Sequence, residues 1–510
     1  MPRVELTGGY GVDSASQFNA QECVNMYVEA SESASAKGRA SLKSYFGQEY
    51  VDSCIMDHGD PSTEFSILGT HEVFSETYEN TFVFTQRFNG TNYIMDVWYI
   101  AGSNPAYYTN YGSVTLSGEA FEIGFSAADN GRVIFLETLV GSYFINIETG
   151  TRSITAITDP DYMKALDITY KDSYFIWISE EVGEPRMYIS DNFATNPTNF
   201  VNALDYTTLE SNTDRSKAIT TLGNEVVVFG SRSIEFYYNS GNVDFPFERN
   251  SGVSQSIGVS DKGNIAKIND EIYFTGTAKS GNNVIYRLSG YKSHRESTHA
   301  IERLMKDLVS LNRSKTYQVN GNYFYSLSFA SGGEYSELLY NISSNKWSGI
   351  FYQFGVSVFD IVPHLSDLLY IGLSDNTLEL SKLSEDVYTY IQKTGTTTYN
   401  NVPLRKILIL PHITSENKNI QINYFEMDIQ KGVGNVDDPD PEITLTISRD
   451  GGMTYGNPIT LKMGTDGSYK QRVRADMLGC SRDTVFKIES NSPVQQEWFT
   501  AYIDYEVMSE

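Results

Sequence analysis

Cysteine, histidine, positive charge and long apolar runs are all scarce in this chain of 510 residues. Cys23, Cys54 and Cys480 are too few for a disulfide framework and too scattered for a local metal or redox site. The six histidines are equally dispersed; only His294 and His299 fall close together, at a spacing that a helix would turn to different faces, which argues against a zinc pair. No stretch approaches 18 apolar residues without charge, and the opening residues 1–6 (MPRVEL) contain no apolar run suited to a signal peptide. Neither a membrane span nor ordinary secretion is therefore expected. Lysine and arginine total 38 against 64 acidic residues, giving a formal charge of −26. Such a surface repels phosphate, which disfavours non-specific gripping of DNA but suits a wall that DNA must pass without sticking.

What is abundant is aromatic and β-branched: 13% of residues are aromatic, 36 of them tyrosine, with 40 glycines between. Hydrophobic residues at 40% supply a large core and exclude disorder as the main state. Short alternating runs of Tyr, Phe, Val and Ile are separated by Asn-Gly-type turns, the chemistry of strands and hairpins. Turn-then-strand units begin near Glu79, Asp129, Lys171, Leu222, Asn269, Asn320 and Ser366, at spacings of 50, 42, 51, 47, 51 and 46 residues. A period of about 48 residues holds four strands and their connections, the content of one propeller blade. The expected fold is all-β, a six- or seven-bladed β-propeller over residues 61–385, with a pair of stacked sandwiches as the structural alternative.

One stretch departs from the β pattern. Ile301, Leu304, Met305 and Leu308 recur at helical spacing, so a helix is expected near 298–308, capped by Ser297 or Thr298 and packed on the ring. Residues 1–60 read as an N-terminal arm around the low-complexity segment 29–37, and residues 400–510 as a separate C-terminal β-sandwich-like domain.

Signals for catalysis are missing. There is no Walker A sequence, no HExxH and no GxSxG, and Gly8, Gly9 and Gly11 form a glycine-rich loop without the strand and helix of a nucleotide site. The acidic stretch 435–440 resembles a coordination patch in composition alone. Asp172, Glu180, Glu181 and Asp191 read as solvated turn residues. Ser448, Asp450, Gly452, Thr454 and Tyr455 fit the Asp-box pattern, a hairpin-turn device in which Asp450 accepts backbone N–H groups and Tyr455 packs beneath. No catalytic, cofactor-binding or metal-binding residue is assigned. Lys470, Arg472 and Arg474, with Arg482 and Lys487, are the one basic concentration. If the first three alternate along a strand they share a face. A solvated face, contact with an acidic neighbouring subunit and contact with DNA all remain open for it.

Three blocks together resemble the tail accessory, packaged-DNA stabilisation family of short-tailed, P22-like phages. They are 23–27 (CVNMY) with 42–46; 223–230 (GNEVVVFG) and 231–236 through 285–290 (IYRLSG) to 301–303; and 450–452 and 455–456 with 472–474, 478–483, 485–487 and 492–494. The resemblance implies a non-enzymatic head-to-tail connector or tail hub: a propeller with a C-terminal β domain, six copies to a ring. It also implies a portal or adaptor ring above, and needle, nozzle, spike or fibre proteins below or beside. DNA passes through the channel without sequence-specific binding, the protein resides in the virion tail, and no cofactor is involved. The alternative from another class is a tail-associated glycan-binding or glycan-degrading propeller.

Overall fold

The structure, a computed structural model, describes residues 3–33, 38–55, 65–75, 78–100, 108–148, 152–180, 183–209, 214–277, 283–307, 311–329, 337–350, 357–364, 367–374, 377–393 and 398–508. Glu181, Leu308, Ser366, His58, part of the low-complexity segment and the side chain of Cys54 lie outside the described residues.

Among the described residues, seven antiparallel units follow one another along the chain, six of them meanders and the seventh completed by a strand from near the start. Blade 1 runs from Phe65–Ser75 to Tyr108–Thr115, blade 2 from Ser126–Asp129 to Ser153–Ala156, and blade 3 from Asp167–Lys171 to Tyr206–Thr208. Blade 4 runs from Ser216–Leu222 to Phe247–Gln255, blade 5 from Gly258–Val259 to Lys292–Arg295, and blade 6 from Leu311–Val319 to Lys346–Ile350. Blade 7 takes three strands, Ser357–His364, Asp367–Ser374 and Thr377–Ser384, from late in the chain. Its fourth, Gly47–Ile55, comes from near the start. The first strands of blades 1 to 4 lie side by side, and blades 4 and 5 meet through Val227, Phe229, Val259 and Phe274. The inner strand Ile265–Ile268 of blade 5 lies beside the first strand of blade 6, and that lies beside the first strand of blade 7, which returns to blade 1. The sheets therefore form a closed ring, and the ring has seven blades rather than six.

Strand periodicity explains how each blade holds two neighbours. In blade 2, Ile134 and Leu136 face blade 1 while Val133 and Phe135 face blade 3. In blade 3, Phe175 and Trp177 look back to blade 2 and Ile176 and Ile178 forward to blade 4. Val226 and Val228 of blade 4 meet blade 3, and Val227 and Phe229 meet blade 5. Side chains alternate across a pleated strand, so a central strand that is apolar at every position can feed two cores. Each fully buried residue of this kind stabilises by roughly 1.5–3 kcal/mol, and a polar substitution at Val227 would breach the seam between blades 4 and 5.

The hairpins between first and second strands use residues that tolerate positive φ: Gly131, Asp172 and Ser173, Gly223, Asn269, and Asn320 with Gly321. The one α-helix among the described residues, His299–Asp307, follows blade 5; the Thr298 hydroxyl accepts from the Ile301 N–H at 3.3 Å, and Ile301 and Met305 pack between blades 5 and 6.

Residues 405–508 build a sandwich together with the start of the chain. One sheet orders Met26–Ala30, Ala40–Ser44, Glu497–Val507, Ile420–Ile429 and Val473–Ser481, with Arg3–Val4 also paired to Glu497–Val507. The other extends blade 6 outward: beyond Lys346–Ile350 come Glu22–Val24, Lys406–Ile409, Asp483–Ser490, Glu442–Ser448 and Ile459–Lys462 in one continuous sheet. Leu6, Cys23, Met26, Val28 and Leu42 are buried in the sandwich core beside Phe425, Phe486 and Trp498. The segment expected as an arm thus supplies strands to the sandwich and to blade 7 and bridges blade 6 to the sandwich.

Candidate assembly surfaces

The propeller axis holds a cavity of about 730 Å³ lined by inner-strand residues of blades 1, 2, 3, 5 and 6, by the connection before blade 2 and by residues 261–263 within blade 5. Its charged groups, with Asp360 and Glu72 behind the lining, are engaged in holding blades together. Asp360 of blade 7, almost fully buried, accepts from Thr70 of blade 1 and pairs with Lys315 and, at 3.6 Å, with Arg313 of blade 6. Arg313 also donates to Glu122 at 2.6 Å and to the Leu68 carbonyl at 3.1 Å, and its guanidinium lies 4.0 Å from the Phe359 ring. Asp167 accepts from Ser126 at 2.6 Å and from the Ile219 N–H at 2.8 Å, joining blades 2, 3 and 4. Burial, with the nearby Asp360 charge, pushes the Glu72 carboxyl up to about 7, while Lys315 acts in the opposite sense. Perturbed carboxylates in a cleft are a signature of catalysis as well as of structural ion clusters. The geometry favours the structural role, because the partners come from different blades.

The Asp-box residues form one compact turn. Asp450 Oδ1 accepts from the Met453 and Thr454 N–H groups at 3.1 and 2.9 Å and from the Ser448 hydroxyl at 2.7 Å, and Oδ2 accepts from the Thr454 hydroxyl at 2.5 Å. Bonds to the ionised form, those to Thr454 foremost, hold the Asp450 carboxyl down at about 2. Gly452 sits at φ +88°, with Ala20 3.1 Å from where a Cβ would stand. Tyr455 is half-buried and 5.9 Å from the Lys487 ammonium, and burial pushes its hydroxyl up to about 12. The N-terminal segment crosses this turn. His412 binds Asp483 through Nδ1 and the Ser16 carbonyl through Nε2, each at 2.8 Å. Farther along the segment, Asp13 pairs with Arg303 of the helix at 3.1 Å.

The basic segment differs from its expected form. The strand begins at Val473, so Lys470 stands in a preceding turn and does not share a strand face with Arg474. Gly464 and Gly467, both at positive φ, turn the chain here. Arg472 is bidentate to Glu426 at 2.9 and 2.5 Å; Arg474 binds Asp476 and stacks 3.7 Å over Tyr424. Arg482 is exposed beyond the other end of the strand, and Lys487, paired with Glu489 at 3.0 Å, belongs to the opposite sheet.

Other residues singled out in the sequence do not converge. His294 lies on the outer strand of blade 5 and His299 binds Arg295 at 3.0 Å on the helix; among the described residues no group of His, Cys, Asp or Glu is arranged to hold a metal. Asp172 and Asp191 accept from Asn239 and Asn202 at 3.0 and 3.2 Å. Glu180 corrects the expectation of a solvated turn residue, because it accepts the Ser216 N–H at 2.8 Å and so ties blade 3 to blade 4. Sequence reasoning missed the axial cluster and the use of Gly47–Ile55 in blade 7. The alternating Arg313 and Lys315 were the signal for the former, since two cations on one face of an inner strand call for a buried anion.

No curated protein sequence matches the chain. Among solved structures it is similar to the β-propeller domain of Cps50 (Swd1) from Myceliophteria thermophila, at 11% identity over 66% of this chain and 100% of that one, TM-score 0.39. It is also similar to an acylaminoacyl peptidase of Pyrococcus horikoshii, at 10% identity over 70% and 59%, TM-score 0.37. A mutant Trypanosoma rangeli sialidase displaying trans-sialidase activity aligns at 7% identity over 86% and 91%, TM-score 0.32. Likenesses at such scores add nothing to the topology described above. Among the described residues no helix is long and apolar enough to cross a membrane. Residues 103–332 match the family model described as bacteriophage P22 Gp10, β-propeller, and residues 405–506 match that described as bacteriophage P22 Gp10, β-sandwich. Ring and sandwich are thus matched in chain order by two models of the same kind, and the chain belongs to the P22 Gp10-like phage stabilisation family, structural proteins of the viral tail rather than enzymes.

Proposed function

We propose that six copies of this protein form a ring that extends the portal channel, helps retain packaged DNA and carries fibres or spikes during genome ejection. Each copy contributes a propeller over residues 61–385, completed by Gly47–Ile55, and a C-terminal β domain over 400–510 that takes in strands from the start of the chain. The observation that carries this reading is the continuous sheet from the propeller axis through blade 6 into the sandwich, clasped by the N-terminal strands. Such a protomer is built to hold two surfaces at a fixed separation, as a ring under load requires, and its work is done by symmetry and interface area.

Acidity sets the character of the lumen. A chain of −26 surrounding DNA makes phosphate contact unfavourable even at a Debye length of about 8 Å, so the duplex slides and closure beneath the ring retains it. The basic segment Lys470, Arg472, Arg474 and Arg482 is assigned to contact with protein. Imaging of the native particle tests the reading: a six-fold ring on the portal supports it, and a monomer in the presence of portal overturns it. R472E/R474E is expected to weaken assembly in light scattering while leaving duplex binding as weak as in wild type. Tight, salt-sensitive duplex binding by wild type, lost in the variant while assembly stays intact, would sink both the sliding lumen and the interface role.

A further inference from the structure

Two features far apart in the protomer expose apolar and charged surface beyond what its own packing uses. The first is at the blade 3 and blade 4 end of the propeller. Phe193 is 58% exposed, Leu204 82% and Val243 97%, all on loops between third and fourth strands. These loops share one face of the ring: the Phe193 N–H donates to the Ser173 carbonyl at 2.9 Å, and Asn239, at the base of the Val243 hairpin, donates to Asp172 at 3.0 Å. Exposed Asp191 and Asp244 stand beside the apolar tips in sequence. The second feature is at the free edge of the sandwich, where Tyr469 is 72% exposed next to exposed Lys470, and the Arg472 side chain keeps 64% of its surface despite its bond to Glu426.

Their placement suits a head-to-tail contact. The sandwich continues the sheet of blade 6, and blades 3 and 4 are three and two positions away in a ring of seven, so the two features lie on opposite sides of the propeller axis. Different surfaces on opposite sides of a protomer form a heterologous contact, which closes into a ring when the rotation permits. Charge selects the pairing. Copies of a chain at −26 repel one another, so a self-contact must set the few exposed cations against acids, and an acidic patch cannot face itself. We propose that, within the ring inferred above and resting on that reading, Tyr469, Lys470 and Arg472 of one copy dock on Phe193, Leu204, Val243, Asp191 and Asp244 of the next.

The test is a charge swap in the full-length chain, with ring assembly followed by mass photometry across protein concentration. K470E/R472E and D191K/D244K are each expected to raise the concentration needed for assembly by about tenfold or more, and the combined variant to recover most of that loss. L204S/V243S, which alters no charge, is expected to impair assembly with an unchanged melting temperature. That separates docking from folding, because all four residues of these two loop pairs are exposed. Rings that form while indifferent to D191K/D244K and L204S/V243S, or impairments that add without recovery in the combined variant, would overturn the pairing alone. Wild-type protein that stays monomeric even with portal protein present would overturn the ring reading, and the pairing with it.

Discussion

The hydroxyls of Tyr45 and Tyr317 lie 2.5 Å apart in a fully buried pocket, and that of Tyr370 lies 2.9 Å from Tyr45. One tyrosine comes from the chain just before Gly47–Ile55, one from blade 6 and one from blade 7, so three distant segments share a single chain of hydroxyls. Burial foremost, then the neighbouring Tyr317, drives the Tyr45 hydroxyl well above the ordinary phenol range, so it stays neutral and able to both donate and accept. Tyr45→Phe is expected to cost about 1–3 kcal/mol, because two buried hydroxyls lose a partner while the ring volume is kept. Denaturant unfolding measures this; a variant as stable as wild type would show that the hydroxyls are not coupled.

Asp360 is the acid at the meeting of blades 6, 7 and 1. Asp360→Ala leaves Lys315 and Arg313 with fewer anions in the interior, a class of change worth about 3–5 kcal/mol. Hydrogen exchange is expected to rise first in Gly47–Ile55 and in the strand holding Thr70. Uniform loosening around the whole ring would count against a local seam.

Glu337 gives the fold a pH dependence of known sign. It is fully buried with one oxygen bonded to Ser326 at 2.9 Å and Oε1 without a hydrogen-bond partner among the described residues, and burial pushes its carboxyl up from 4.5 to about 7. The folded state therefore holds a proton that the unfolded state releases: the contribution is intact below pH 4.5, falls as pH rises, and is lost above pH 7, an effect on the order of 3 kcal/mol. Glu72 has the same sign, so Glu337→Gln is expected to flatten part of the slope and to be more stable than wild type at pH 8. Thermal melts from pH 5 to pH 8 decide; parallel curves for the two proteins would refute the assignment.

Asp450 works in the opposite direction. Its carboxyl is held at about 2 against an ordinary 3.8, so its stabilising bonds persist above 3.8 and are lost only as pH falls through about 2. Asp450→Ala is expected to speed amide exchange at Met453 and Thr454 at neutral pH and to leave the propeller unaffected. Unchanged exchange there would mean the turn is held by Ser448 and the N-terminal segment alone.

Five of the seven turn positions legible in the sequence, those near Asp129, Lys171, Leu222, Asn269 and Asn320, adjoin described hairpins leading from the inner strand of a blade to the next, because that signal is local: Asn, Asp, Ser or Gly at positive φ beside a β-branched or aromatic run. Helix His299–Asp307 was readable for the same reason, through its capping threonine and apolar spacing. What stayed hidden depends on distant pairing. Nothing within 47–55 announces Thr377–Ser384 as its partner, and nothing near Asp360 identifies Arg313. The basic segment was half legible: residue types were plain, but the turn containing Lys470 depends on glycine conformations set by packing against the 431–434 loop.

Completion of blade 7 from two distant parts of the chain also sets a timetable for synthesis. Gly47–Ile55 leaves the ribosome among the first strands, yet its partner Thr377–Ser384 emerges after six other blades have been made. Until then the nascent chain carries an orphan strand and an unclosed arc with two open flanks, each a template for a neighbouring nascent chain. Translation speed through the later blades, and any chaperone that shields the waiting strand, thereby become determinants of how many finished molecules an infected cell obtains.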